Sequence, residues 1–594
     1  MIVKLERLLP VLLALALTAA LLLSIACADD DDDDQADDDT GDDDTGDDDA
    51  DDDDDDDDLV VGPADNEPPF WPEWVLEHWV WEDEGDRGSA EQLVADYLAH
   101  EIPVGALIID SPWETGYNSF VPDPEDYPDA GAMIDGLHEL DVRVLFWITG
   151  NVNLDSPNYD EACDNGYLLS DCRTVDWWKG EGSFIDLTNP DAVDWWHSQI
   201  DQMLDLGIDG WKCDGTGPYM YLWVYATGYG GTIFPWEWME MYYADFFDYT
   251  RERLGPDRVT LARPFDSYGL PLGLEFAPRD KLASGWVGDQ DPTWSGLQAA
   301  MFNIFESGRR AFVNVGSDIG GYREDELRDK ELFIRWAQFG ALCPIMENGG
   351  GGEHRPWIYD EQVLSIYRDY VNLHLTLKPY LYSMGAEAFV REVGLMRQLE
   401  GEIDLGRYML GDNLLVAAIY QAGASREIEF PEGVWIDWFD GSEHSGPSVE
   451  TIDYSLERYP IFVRKGSIIP LELGEDSIVQ GDAGTPPALT VRIDPLVAQN
   501  FELYEEGRNG ATISYELADA LQIEISANDR AYALLVRGQS KPATVSCEPH
   551  GVLDECASID ALSAVERGWW FDATTAELWI KPGAAQRGLR VSVQ

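Results

Sequence analysis

Between Trp74 and about Tyr380, short apolar segments rich in Val, Ile and Trp alternate with amphipathic stretches of helical period. That alternation points to repeated strand-helix units around a parallel sheet. Eight strand segments can be counted: WVLEHWVW from Trp74, GALIID ending at Asp110, VRVLFWITG from Val142, DGWKCD ending at Asp214, RVTLARP from Arg258, SGWVGD ending at Asp289, AFVNVGSD ending at Asp318 and GALCPIM from Gly340. Helix-like stretches such as 90–100, 130–140 and 190–206 separate them, so the pattern predicts a (β/α)8 TIM barrel over residues 73–385. Several strands end in a carboxylate. Because the C-terminal rim of such a barrel carries the chemistry, Asp110, Asp214, Asp289 and Asp318 are expected at one mouth.

After about residue 386 the period changes to short alternating segments with Gly, Pro and Asp turns, among them NLLVAAIY, REIEFPEG and YPIFVRKGSIIPL. These predict C-terminal β-sandwich domains, a proximal one over 386–475 and a distal one over 476–594, with the boundary near Glu475.

The N-terminus is of another kind. Lys4 and Arg7 precede an apolar run from Leu8 to Ile25 that ends in Leu23-Ser24-Ile25-Ala26-Cys27. This reads as a secretory signal over 1–27, similar to the lipobox of bacterial lipoproteins, with Cys27 the candidate lipid attachment site. Ser24 stands where that pattern usually carries an aliphatic residue. From Asp29 to Asp58 the chain is almost entirely Asp, a composition that cannot bury a core and repels itself into extension, so 28–72 are expected to form a tether. The expected location is the bacterial cell envelope or surface, with the lipid as the sole membrane contact.

The 594 residues carry a net charge of -77, which disfavours nucleic acid as a partner and suits a neutral or cationic ligand. Besides Cys27 there are six Cys, and Cys163 with Cys172 and Cys547 with Cys556 share one spacing, as disulfide candidates in an exported chain. The eight His show no paired ligand spacing, no Gly-x-Ser-x-Gly elbow occurs, and the glycines at 349–352 precede no phosphate-loop Lys. Neither a metal nor another cofactor is expected.

Cleaving a glycosidic bond with retention needs two carboxyl groups about 5 to 5.5 Å apart, one as nucleophile and one as acid then base. Strand-end carboxylates on one rim can meet that distance. Asp214 in GIDGWKCDGTGPY and Asp289 in ASGWVGDQDPTW each lie beside Trp and Gly. An indole offers a face for a sugar ring and lowers the local dielectric, which favours a protonated carboxyl in the acid role.

The segments DGWKCD, SGWVGDQDPTWSGLQ, GSDIGGYREDELRDKELFIRWAQFGALCPIM, YMLGDNLLVAAIY and ERYPIFVRKGSIIPLE resemble, in the same order, glycoside hydrolase family 31. The match covers roughly residues 74 to 475. The resemblance implies that Asp214 is the nucleophile and Asp289 the acid/base of a retaining α-glycosidase. It further implies substrate-pocket roles for Asp318 and Trp286, a ring-stacking wall at Trp178, a sugar contact near C2 for Arg263, and in Lys212 a likeness to the xylosidase-like branch, while Asp110 is a substrate-binding candidate as a rim carboxylate. Trp178, Trp211 and Trp286 read equally well as core aromatics, Lys212 as a partner of a rim carboxylate, and Asp318 as a cap or turn residue.

The departures fall where sugar identity is read. Gly217 stands three positions after Asp214, where the family commonly has an acidic residue. Glu347-Asn348-Gly349 replace its Arg-x-His, which makes His354 the candidate substitute. After Asp110 the acidic residue gripping distal hydroxyls is displaced, and Glu114 is the candidate replacement. The β-sandwich that usually precedes the barrel is missing between the Asp run and the first strand, which predicts a more open site. Glucoside, galactoside or xyloside hydrolysis from a non-reducing end is the leading reading. Transfer from the same intermediate to another hydroxyl, and a silent surface carbohydrate-binding protein, are the alternatives.

Overall fold

The computed structural model describes residues 66–267, 273–324, 327–399, 401–402, 404–474 and 488–594. The signal, Cys27 and the Asp run lie outside the described residues. Eight parallel strands form one sheet: β1 (His78–Glu82), β2 (Ala106–Ile109), β3 (Arg143–Ile148), β4 (Gly210–Cys213), β5 (Val259–Ala262), β6 (Ser284–Val287), β7 (Val315–Ser317) and β8 (Met346–Asn348). Their order is β7-β6-β5-β4-β3-β2-β1-β8, the sequence of a rolled barrel. Nearly every strand position is buried, as expected of a sheet covered on both faces. The ring is nearly closed by the Ile319 N–H donating to the Glu347 carbonyl at 3.2 Å. At that seam a Cβ on Gly316 would lie 2.0 Å from the Ile345 carbonyl oxygen, so only glycine lets β7 approach.

Among the described residues seven helices of nine residues or more clothe the barrel: α1 (Arg87–Ala99), α2 (Ala130–His138), α3 (Pro190–Leu204), α4 (Pro235–Leu254), α5 (Trp294–Arg309), α6 (Lys330–Gly340) and α7 (Glu361–Val390). Their starts follow side-chain capping. Asp86 accepts from Ser89 N–H, Thr293 from Gly296 N–H, and Asn189 precedes Pro190 at the first helical position. Between β5 and β6 the described residues hold a short antiparallel pair, Phe265–Asp266 with Leu274–Glu275, and as their one helical element a 3-10 turn, Arg279–Lys281.

Two strand expectations shift. Trp74–Leu76 form a 3-10 turn, and β1 begins at His78. Gly340 closes α6 instead of opening a strand, and β8 begins only at Met346. A continuous apolar run such as Ala341–Leu342–Cys343 does not distinguish the end of a buried helix from a buried strand.

Residues 66–72, expected in the tether, are packed. Asn66 Nδ2 donates to the Leu503 carbonyl at 3.0 Å, and Trp71 is 2% exposed in the core. The apolar Phe70-Trp71 pair supplies the burial that the Asp run lacks. After α7, a six-stranded antiparallel sheet carries the hairpin Ser425–Asp437 and Glu443–Asp453. Ile468–Leu471 already pairs with Leu489–Ile493 in a five-stranded sheet, so the change of sheet falls before Glu475, which is itself outside the described residues. A second six-stranded sheet completes the C-terminal region, and apolar positions of both sheets (Val491, Leu534, Ile513, Ile523) are buried in a continuous core.

Cys163 and Cys172 form a disulfide, whereas Cys547 and Cys556 are free thiols. Cys547 points into the core from the strand Val545–Glu548. Cys556 packs with Ala533 and Leu562 in a separate cluster, so the shared spacing does not bring the second pair together.

At the base of the barrel, fully buried Asp209 accepts from His138 Nε2 at 2.7 Å, Arg143 Nη1 at 2.9 Å and Val144 N–H at 2.8 Å. Asp209→Ala strands these donors and is expected to lower unfolding free energy by on the order of 3 kcal/mol, read from urea denaturation.

Candidate active site

Strand order sets which carboxylates meet. Asp110, Asp214 and Asp318 directly follow β2, β4 and β7, and Asp289 lies two residues beyond β6, so all four reach one end of the barrel. Arg263, one residue past β5 and 1% exposed, joins them. Its Nε donates to Asp214 Oδ1 at 3.0 Å, its Nη1 to Asp266 at 2.8 Å and its Nη2 to Asp289 Oδ2 at 3.3 Å. Asp214 and Asp289 therefore occupy neighbouring edges of one guanidinium.

Asp214 also accepts from Trp147 Nε1 at 3.2 Å and from Gly215 N–H at 2.6 Å. Burial pushes its carboxyl up, but the charges of Arg263 and Lys212 outweigh this and hold it below its ordinary range. Lys212 reaches in from β4. Its Nζ contacts Asp110 Oδ2 at 2.6 Å and lies 3.4 Å from the centroid of the Trp81 ring. Burial alone would discharge this amine, yet Asp110, Asp318 and Glu347 together raise its pKa.

Asp289 has a left-handed backbone, φ 64°, which a side-chain-bearing residue adopts only under constraint. Asp318 imposes it, accepting the Asp289 N–H on Oδ2 at 3.1 Å. Burial pushes Asp318 up to about 7, with the charge of Asp289 adding to the shift against Lys212. Trp286, on β6 and 1% exposed, lies beneath as a floor, its ring 4.3 Å from the Arg263 guanidinium. Trp178 stands at the tip of the hairpin Val175–Trp177/Gly180–Phe184 and is 42% exposed. Its ring meets Trp177, which stacks parallel on Trp147, so a run of indoles leads outward from Asp214.

Glu114 is placed elsewhere. Its Oε1 accepts from Asn118 N–H at 2.7 Å and its Oε2 from Phe120 N–H at 2.9 Å, so both oxygens are engaged by its own loop. Burial pushes it up to about 8. His354 does reach the rim. Nδ1 faces the Ile319 carbonyl at 3.2 Å and so carries the proton, while Nε2 has no partner; burial lowers its pKa to about 3. The glycine at 217 also has a steric reason: a Cβ there would lie 2.1 Å from Met239 Cγ.

Three groups escaped the sequence reading. Asp83, just past β1, accepts the Tyr322 hydroxyl at 3.0 Å; burial, reinforced by Asp110, raises it to about 6. Its signal was a strand-end carboxylate hidden in the acidic run Glu82–Glu84. Glu347, on β8 and fully buried, has no partner for either oxygen, and burial with Asp318 nearby drives its pKa well above the usual range. Trp147, at the end of VRVLFWITG, gave no sign that its N–H would face Asp214. Among the described residues no cluster of three metal-ligating side chains occurs. A cavity of about 750 Å³ opens between the ends of β1 and β8.

The model for the Glycosyl hydrolases family 31 TIM-barrel domain matches residues 68–384, and that for the Glycosyl hydrolase family 31 C-terminal domain matches 402–469. Alpha-glucosidase 2 of Bacillus thermoamyloliquefaciens is 26% identical over 491 residues, covering 77% of this chain and 60% of that protein. Isomaltosyltransferase of Sporosarcina globispora is 24% identical over 590 residues, covering 87% and 52%. The chain thus spans little more than half the length of these relatives. Among solved structures, the cycloalternan-forming enzyme from Listeria monocytogenes in complex with pentasaccharide substrate superposes with a TM-score of 0.77 at 22% identity, covering 89% of this chain and 55% of that one. The Flavobacterium johnsoniae GH31 dextranase complexed with glucose gives 0.77 at 20%, covering 89% and 71%. These likenesses establish the fold.

Glu114→Ala would leave the Asn118 and Phe120 N–H groups buried without acceptors. The expected loss is roughly 1–3 kcal/mol of stability by chemical denaturation, from the loop and not from the carboxylate pair.

Proposed function

Because the chain belongs to glycoside hydrolase family 31, its barrel model spanning residues 68–384, we propose that it is a retaining α-glycosidase with Asp214 as nucleophile and Asp289 as acid/base. The observation that carries this reading is the Arg263 guanidinium, which holds the two carboxylates side by side while keeping Asp214 ionised. In the first step Asp214 attacks the anomeric carbon while Asp289 gives its proton to the leaving oxygen. In the second, Asp289 takes a proton from water as water displaces Asp214 from the sugar. The substrate is a saccharide with an α-linked glucoside, galactoside or xyloside at its non-reducing end. Asp110, Lys212, Asp318 and His354 contribute to its recognition, with Trp178 as an outer stacking face and Trp286 as the floor.

A second reading, transfer of the sugar to another hydroxyl, is favoured by the isomaltosyltransferase and the cycloalternan-forming enzyme among the similar proteins. Product ratios at high acceptor concentration separate the two. The basic and apolar N-terminus ending in Cys27 supports export and lipid anchoring at the cell envelope.

Screening nitrophenyl α- and β-glycosides is expected to show turnover of an α-glycoside. Asp214→Asn should abolish it and Asp289→Asn should lower kcat by about 10²–10⁴. Unchanged turnover in either variant contradicts the assignment, and retained sugar binding without turnover in the parent protein points to the silent binding protein.

Lys212→Met tests the electrostatics. The Lys212 charge favours ionised Asp214, so its loss raises the Asp214 pKa. The acidic limb of kcat/KM, where Asp214 becomes protonated, should move to higher pH, whereas an unmoved limb removes Lys212 from this role.

A further inference from the structure

The segment between Tyr159 and Phe184 contains a turn that its residues do not favour. Ser170 (φ 54°, ψ 46°), Asp171 (φ 53°, ψ 50°) and Cys172 (φ 60°) follow one another in the left-handed region. Side-chain-bearing residues visit that region singly, and a run of three crowds each Cβ against the carbonyl that follows. Contacts outside the turn must therefore hold it. Thr227 N–H donates to Ser170 Oγ at 2.9 Å, and Tyr159 Oη donates to the Cys172 carbonyl at 3.4 Å. The covalent constraint is the disulfide from Cys172 to Cys163, whose short helix Tyr159–Asp164 is seated in the core by Tyr159 and Ala162.

This bond spans a sequence separation of 9, so it removes less freedom from the unfolded chain than a bridge between distant elements would. Its effect is local, and the aromatic wall of the mouth lies immediately downstream. Val175–Trp177, the strand that the turn feeds, has three residues and sits at the edge of its sheet, paired with Gly180–Phe184 alone. So short a ladder on one side does little to fix two indoles. Yet Trp177 is placed closely: its Nε1 donates to Asn153 Oδ1 at 2.7 Å, and its ring lies parallel to that of Trp147, the donor to Asp214. Trp178 follows at the tip and meets the Tyr219 ring at 5.5 Å. The start of the strand is tied on the side of the turn, where Ser183 Oγ donates to the Arg173 carbonyl at 2.8 Å and the Arg173 guanidinium lies 4.8 Å from the Trp223 ring.

Resting on the glycosidase reading above, we infer that the Cys163–Cys172 disulfide is a positioning element for the leaving-group unit of the substrate. By holding the left-handed turn it places Trp177 and Trp178 beside Asp214, and its reduction lets the turn relax and the wall shift. Asp214 and Asp289 are held by Arg263 and Asp318, which stand on other strands, so the change falls on substrate binding and leaves the chemical step in place. The other four described cysteines are free thiols, so among the described residues a reductant acts on this bond alone.

The test compares the full chain oxidised and after treatment with a water-soluble phosphine, which with water converts the disulfide to two thiols and leaves as the phosphine oxide. Amide hydrogen exchange of peptides covering 173–184 should quicken by about fivefold or more on reduction and in the double variant Cys163→Ser/Cys172→Ser, while peptides covering β4 stay protected. The kinetic probes are 4-nitrophenyl α-D-glucoside, α-D-galactoside and α-D-xyloside. For whichever of them the oxidised chain turns over, KM should rise several-fold with kcat within about twofold. Glycine accepts a left-handed backbone, so Asp171→Gly, at an exposed position, added to the double variant should restore part of both the protection and the KM. Exchange and KM unmoved by reduction overturn the inference. So does exchange that quickens across the whole barrel, which makes the bond a general staple, and so does a failure of Asp171→Gly to restore either readout. Faster exchange confined to 173–184 and restored by Asp171→Gly, in a chain that turns over no glycoside, supports the positioning and counts against the glycosidase reading alone.

Discussion

Everything at the mouth depends on one buried cation. Arg263 sits between three carboxylates, and each guanidinium edge does different work: one orients Asp214, one is fixed by Asp266 deeper in the barrel, one reaches Asp289. Carboxylates this close would otherwise repel one another, and the guanidinium, which stays charged under any practical condition, offsets that repulsion and keeps Asp214 ionised. Trp286 beneath it excludes water from the unshared face. Lys212 repeats the arrangement one strand over, with Asp110 as its partner and Trp81 as its cover. The two cations hold Asp214 below its ordinary range, whereas burial pushes Asp318 up to about 7 and drives Glu347 well above the usual carboxylate range.

That contrast gives the departures from the family pattern a physical shape. No side chain is possible at 217 because Met239 occupies the volume, and Asp214 takes its support from Arg263, Trp147 and its own following N–H. Where an Arg-x-His is usual, the chain places a buried glutamate and a run of glycines, and His354 arrives from further along with its unprotonated nitrogen outward. A positively charged donor has been exchanged for acceptors on the side of the mouth facing β1 and β8.

Much of this was legible because a parallel strand followed by an acidic residue is a local pattern with a global meaning. Runs such as GALIID, DGWKCD and AFVNVGSD place their last residue on the rim whatever the loops do. The pattern failed where placement depends on the path of a loop. Glu114 follows β2 closely enough to be expected in the mouth, but its loop folds back and uses both oxygens for its own N–H groups. Asp83 was masked by acidic neighbours, and β8 by an apolar run that belongs to the end of a helix. Equal spacing made the two cysteine pairs look alike, whereas strand alternation sends Cys547 into one core and leaves Cys556 in another. Arg263 carries no local signature, and only likeness to a family singled it out.

The way the chain enters its fold has a consequence for mechanical load. Residues 66–77 run beneath the barrel. Trp74 donates to the Asp257 carbonyl just before β5, Glu73 and Glu506 exchange backbone-to-carboxylate hydrogen bonds, and Asn66 is held by the C-terminal region. From there β1 rises through the full depth of the barrel before Asp83 reaches the rim. Trp74 and Asp83 therefore lie at opposite ends of the barrel. Pulling on the chain at Asn66 would thus load the C-terminal sheets and the base of the barrel before it reached the carboxylates of the rim.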